Sequence, residues 1–128
     1  MKEEKFRITN KTRGMIPGIS WLKMKDVVLG KDYSLSLVFI GETKSRKLNF
    51  SYRKVNKPTN VLSFPIDKKI GEIFITPSVV KKQTKLFERK YDNLIAFLFI
   101  HGLLHLKGIE HGSTMERAET KLCKKFRV

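Results

Sequence analysis

Every imidazole in this chain lies in one short stretch, at His101, His105 and His111. Residues four apart share a helix face, so His101 and His105 point the same way. Gly108 follows three residues later, and glycine tolerates the left-handed conformation that ends many helices. A chain turned back there carries His111 toward the first two rings. The pattern HxxxHxxGxxH is the donor skeleton of a three-histidine metal site. Three protein nitrogens leave a tetrahedral zinc one position for water, the arrangement of a catalytic rather than a structural ion. The same donors accept nickel or copper according to supply. One histidine on an apolar face is ordinarily a hydrogen-bonded core residue; three at this spacing, with none elsewhere, point to a metal.

The element that must position these rings reads LIAFLFIHGLLHLKGIEH from Leu94 to His111. Between Asn93 and Gly108 its only charge is Lys107. A helix apolar on all sides belongs inside a fold, and an imidazole there needs a partner, since an unpaired buried polar group costs roughly 1–3 kcal/mol. In HExxH metalloproteases the residue after the first histidine is the glutamate base. Here it is Gly102, which argues against proteolysis. A phosphodiester fits better, because its transition state gains negative charge that a metal and an arginine stabilise. Glu110, beside His111, reads either as a partner or base for the centre or as an exposed loop carboxylate.

The rest of the chain supplies a sheet and further helices. Phe6 to Thr9 fits a short strand, and Pro17 suits the start of a helix that Gly30 stops. Tyr33 to Ile40 alternates as a strand, and its end is apolar on both faces, as in a sheet covered on both sides. Thr43 to Arg53 reads as a helix offering Leu48, Phe50 and Tyr52 for apolar contact, with basic residues from Lys44 to Lys57. Pro65 makes the extended piece before it an edge strand or its end. GEIFIT, from Gly71, is another strand, and Pro77 opens a helix to about Glu88. Asp92 or Asn93 is placed to cap the buried helix. Ser113 and Glu116 have capping-box spacing ahead of a last helix striped by Met115, Ala118, Leu122 and Phe126. This order predicts an α/β (α+β) fold: one domain over residues 1–128, with a small mixed sheet packed by helices and the histidine site at the end of the buried helix.

Composition narrows the partner. Lys+Arg total 27 against 12 Asp+Glu, a net charge of +15, which favours polyanions. The single cysteine, Cys123, cannot form an internal disulfide, so a reducing compartment is expected, with Cys123 as a buried thiol. The first residues contain no apolar h-region, and the one apolar run is shorter than the roughly 20 residues needed to span a bilayer. A cytoplasmic protein without a membrane partner is the expectation.

The segment HGLLHLKGIEH, His101 to His111, resembles the HGxLHLxGyDH signature of the YbeY family of metal-dependent endoribonucleases. Upstream, Tyr52-Arg53 and then Lys57 to Pro65 resemble the family's YRxKDxPTDVLSFP, and Gly71-Glu72-Ile73 its GDI strand. The resemblance implies an α/β fold and zinc, or nickel, on His101, His105 and His111. It implies single-strand-specific cleavage of RNA, with His101 and Arg53 catalytic and Arg53 clamping the scissile phosphate. The implied substrate is pre-16S ribosomal RNA, matured at its 3′ end, with the small ribosomal subunit and assembly factors as partners and a role in ribosome quality control. The chain departs from the pattern where Glu110 replaces the family's Asp, Ile109 its tyrosine, and Val55-Asn56 its Lys-Asp pair. Two alternatives remain: a non-catalytic RNA- or ribosome-binding assembly factor with a structural metal, and, disfavoured by Gly102, a small zinc peptidase.

Overall fold

The structure, a computed structural model, describes residues 5–128. A helix that is apolar on every side dictates the arrangement, because it can be satisfied only by being enclosed. That helix is α4, Tyr91–Leu106. Leu94, Ile95, Ala96, Phe99, Ile100 and Leu103 along it have no exposed surface.

Around it lies a mixed sheet of β1 (Phe6–Asn10), β2 (Ser34–Phe39), β3 (Val61–Asp67) and β4 (Ile70–Ile75). The spatial order is β1-β2-β4-β3. β1, β2 and β4 run parallel, while β3 pairs antiparallel with β4. The helices are α1 (Trp21–Leu29), α2 (Glu42–Arg53), α3 (Pro77–Lys82), α4 and α5 (Ser113–Phe126). α4 packs on β3 and β4 and against α1, α3 and α5. Leu37, Val38, Phe39 and Ile40 are all buried, as expected for a strand end covered on both faces. Trp21 joins the layers, its indole edge-on to both Phe39 and Phe99. No helix among the described residues is long and apolar enough to cross a membrane.

The small mixed α/β sheet follows the sequence reading, but several boundaries and contacts differ. α1 begins at Trp21, not at Pro17. The Pro17 carbonyl accepts both the Ile19 N–H and the Trp21 indole N–H, which holds Pro17–Ser20 as a turn. α3 stops at Lys82, well short of Glu88. α4 starts at Tyr91, ahead of both Asp92 and Asn93, so Asp92 sits in its first turn and Asn93 bonds the Arg89 guanidinium instead. The capping box does not form: Ser113 is already helical behind Gly112, with no side-chain cap.

α2 departs most. Phe50 and Tyr52 are exposed, whereas the polar Ser45 and Asn49 are buried. Their hydrogen bonds supply the reason. Ser45 Oγ accepts from the Thr59 N–H at 2.9 Å and donates to the Thr59 carbonyl, and Asn49 Nδ2 donates to the Lys57 carbonyl at 2.9 Å. A buried polar pair persists only when bonded in this way. Here it pins the loop that leads into β3.

Pro65 lies within β3, tolerated because β3 is an edge. The strand is irregular between Pro65 and Asp67. Alternation along it turns Val61, Ser63 and Pro65 to the cleft that the three histidines line.

Candidate metal centre

His101 and His105 occupy the last turns of α4, and the chain then reverses through Gly108, whose φ is +98°. That conformation is one side chains rarely adopt, so glycine is required for the return. His111 thereby joins the other two rings. Ring centroids are 4.5 Å apart for His101–His105, 5.1 Å for His101–His111 and 4.7 Å for His105–His111. One nitrogen from each lies within 4.8 Å of the others, and the Nε2 atoms of His101 and His105 are 3.0 Å apart.

A tetrahedral ion with bonds of about 2.0–2.1 Å needs donors roughly 3.3 Å apart. His101 and His105 meet that spacing at 3.0 Å, His111 offers a nitrogen within 4.8 Å of both, and three imidazoles are a donor set suited to zinc or nickel. Donors must also be neutral. His105 is held below its usual range by burial first, then by the charges of His101, His111 and Arg53, which leaves its lone pair available at neutral pH. The residues present therefore fit a metal.

Arg53 reaches the same cleft, of about 600 Å³, from the last turn of α2. The Tyr52 ring packs on Phe64 of β3, centroids 4.5 Å apart, and fixes that end of the helix against the strand. Arg53 itself is exposed, with its donors free to meet an anion above the histidines.

Gly102 has a packing reason to be glycine. It lies about 100° around the helix from His101 and faces the sheet. A Cβ there would stand 2.9 Å from Ser63 Oγ and 3.2 Å from Ile73 Cδ1. The Gly102 carbonyl also accepts the Ser63 hydroxyl at 3.2 Å. No glutamate base fits at this position, so the peptidase reading loses its general base for steric as well as sequence reasons.

Glu110 is exposed in the turn before His111 and only faces His105 electrostatically. The carboxylate that does touch the centre is one that no sequence motif singles out. Glu119 Oε2 of α5 lies at hydrogen-bond distance, 2.5 Å, from His101 Nδ1, and both side chains are largely buried, 12% and 19% exposed.

A sequence profile described as Endoribonuclease YbeY matches residues 2–126 of this chain. The chain belongs to the YbeY family. The Endoribonuclease YbeY of Aliarcobacter butzleri is 30% identical over 130 residues, covering 94% of this chain and 91% of that protein. The one from Buchnera aphidicola subsp. Acyrthosiphon pisum is 35% identical over 100 residues, covering 69% of this chain and 64% of that protein. The match thus spans just under two thirds of the Buchnera relative's length. A Thermotoga maritima protein solved in solution shares the fold, with a TM-score of 0.63 at 22% identity over 95% of this chain and 91% of the other.

The segments that resemble the YbeY signatures converge on the cleft. Tyr52-Arg53 ends α2, Lys57 to Pro65 forms the pinned loop and β3, and His101 to His111 forms the helix end and its return.

Proposed function

We propose that this chain is a metal-dependent endoribonuclease that cleaves single-stranded RNA. The observation that carries this reading is that His101, His105 and His111 share one cleft with Arg53 in a member of the YbeY family. His101, His105 and His111 would hold Zn²⁺, with Ni²⁺ the alternative, through one nitrogen each. Such an ion, when bound, polarises water toward hydroxide near neutral pH and draws charge from a phosphoryl oxygen.

The chain's own residues supply the rest. The planar guanidinium of Arg53 offers paired donors that match two non-bridging phosphate oxygens, and its charge offsets the negative charge that builds as the phosphodiester is attacked. His101, besides being one of the residues that would hold the ion, lines the cleft with its Nδ1 engaged by Glu119. Lys54, Lys57 and Lys81 add positive charge along the backbone path, consistent with the chain's net charge of +15. In the cell the reading is a cytoplasmic enzyme that acts on pre-16S ribosomal RNA at its 3′ end. It would work with the small ribosomal subunit and assembly factors and serve ribosome quality control.

Metal-loaded protein incubated with a labelled single-stranded RNA, and separately with the same strand in a duplex, tests this. Cleavage of the single strand alone, ended by a chelator, is expected. Binding without cleavage would favour the non-catalytic assembly factor, and equal cutting of the duplex would remove the strand preference.

A further inference from the structure

We propose that Glu119 is a positioning residue for the metal centre: it fixes His101 as the tautomer protonated on Nδ1, so that its Nε2 lone pair faces His105 and His111. The proposal rests on the metal reading above for its consequence, but its geometric core stands without a metal.

Met115 and Cys123 are the residues of α5 buried in the core. Glu119 lies four residues after the first and four before the second, on the same face. A carboxylate on a core-facing stripe is costly unless bonded, and this one is bonded to His101 Nδ1 at 2.5 Å. In a chain with 12 acidic residues against 27 basic ones, this carboxylate meets an imidazole rather than a lysine or arginine.

The chemistry then follows from hydrogen-bonding capacity. An ionised carboxylate only accepts, so the shared proton belongs to Nδ1. A neutral imidazole carries one N–H, so Nε2 must present its lone pair. Nε2 is the atom 3.0 Å from His105 Nε2, on the side where the three rings converge. A short bond at 19% and 12% exposure is poorly exchanged with water and therefore holds the ring plane as well as the proton. Without Glu119, His101 would divide its population between tautomers, and the form with hydrogen on Nε2 cannot bind an ion there. Partners of this kind are generally worth roughly 10–100-fold in metal affinity.

The test compares wild type with Glu119→Ala, Glu119→Gln and, as a control, Glu116→Ala at an exposed site on the same helix. Long-range ¹H–¹⁵N correlation spectra of the metal-free proteins, taken above the histidine titration range, report the His101 tautomer directly. Zn²⁺ affinity is measured in parallel by competition with a chromophoric chelator. Wild type and Glu119→Gln, whose amide oxygen still accepts, are expected to show hydrogen on Nδ1. Glu119→Ala is expected to shift toward hydrogen on Nε2 and to bind Zn²⁺ roughly 10–100-fold more weakly, while Glu116→Ala matches wild type.

An unchanged tautomer in Glu119→Ala, or unchanged Zn²⁺ affinity beside a wild type that binds well, overturns the role of Glu119 and leaves the metal centre standing. A wild type with hydrogen on Nδ1 that takes up no Zn²⁺ supports the pinning of His101 and overturns the metal reading instead.

Discussion

Replacing His105 by alanine is expected to strip the protein of its metal and abolish RNA cleavage. The roughly 10–16 kcal/mol that zinc binding contributes in four-ligand peptide sites corresponds to about 2–4 kcal/mol per ligand, or roughly 10²–10³-fold in affinity. A site with three protein ligands has none to spare. Elemental analysis after dialysis should find about one ion per chain in wild type and far less in the variant, and product formation should fall to the background of the chelated enzyme.

The same substitution has an opposite effect on the metal-free protein in acid. Burial, aided by neighbouring positive charge, holds His105 below the usual imidazole value of about 6.5. As pH falls through 6.5, the unfolded chain takes up a proton that the folded site resists, so stability falls with pH until the depressed folded pKa is passed. Chelator-treated wild type should therefore lose more stability than His105→Ala between neutral pH and about pH 5 in urea titrations. Equal losses would contradict the burial assigned to this ring.

The second large effect is expected at Arg53. Arg53→Ala should lower kcat on single-stranded RNA by roughly 10²–10³, the usual result of removing one donor that stabilises transition-state charge. Metal content should stay at the wild-type level, because Arg53 touches the cleft from the exposed end of α2 and is not among the three clustered donors. Arg53→Lys should recover only part of the rate, since an ammonium keeps the charge but loses the planar pair of donors. If Arg53→Ala raised KM alone and left kcat intact, Arg53 would serve ground-state binding of the strand and not the step itself.

Much of this arrangement was legible in the sequence where one physical demand overrode all others. α4 is apolar on every side, so its burial followed from composition, and Gly108 announced the return that brings His111 home. β2 was equally plain, its end apolar on both faces. What the sequence concealed were features decided by contacts between elements. Ser45 and Asn49 look like surface residues of a basic helix; they are buried because the loop from Lys57 to Thr59 needs its backbone groups satisfied. Helix ends were displaced for similar reasons, as when the Pro17 carbonyl engages the Trp21 indole and delays α1.

Glu119 was the most consequential omission. Read by its own stripe, α5 places Met115, Ala118, Leu122 and Phe126 inward, and nothing local reveals which part of that face meets the end of α4. The available signal was its position midway between Met115 and Cys123, a charge on the buried side of an amphipathic helix. Glu110 is adjacent to His111 in sequence, yet the turn leaves it exposed.

X-ray absorption at the zinc edge of the loaded, substrate-free protein tests the central claim most directly. The account predicts one ion per chain with three imidazole nitrogens and one further light atom, all at about 2.0–2.1 Å. A sulfur neighbour at about 2.3 Å, or a shell without the outer scattering of imidazole rings, would contradict it.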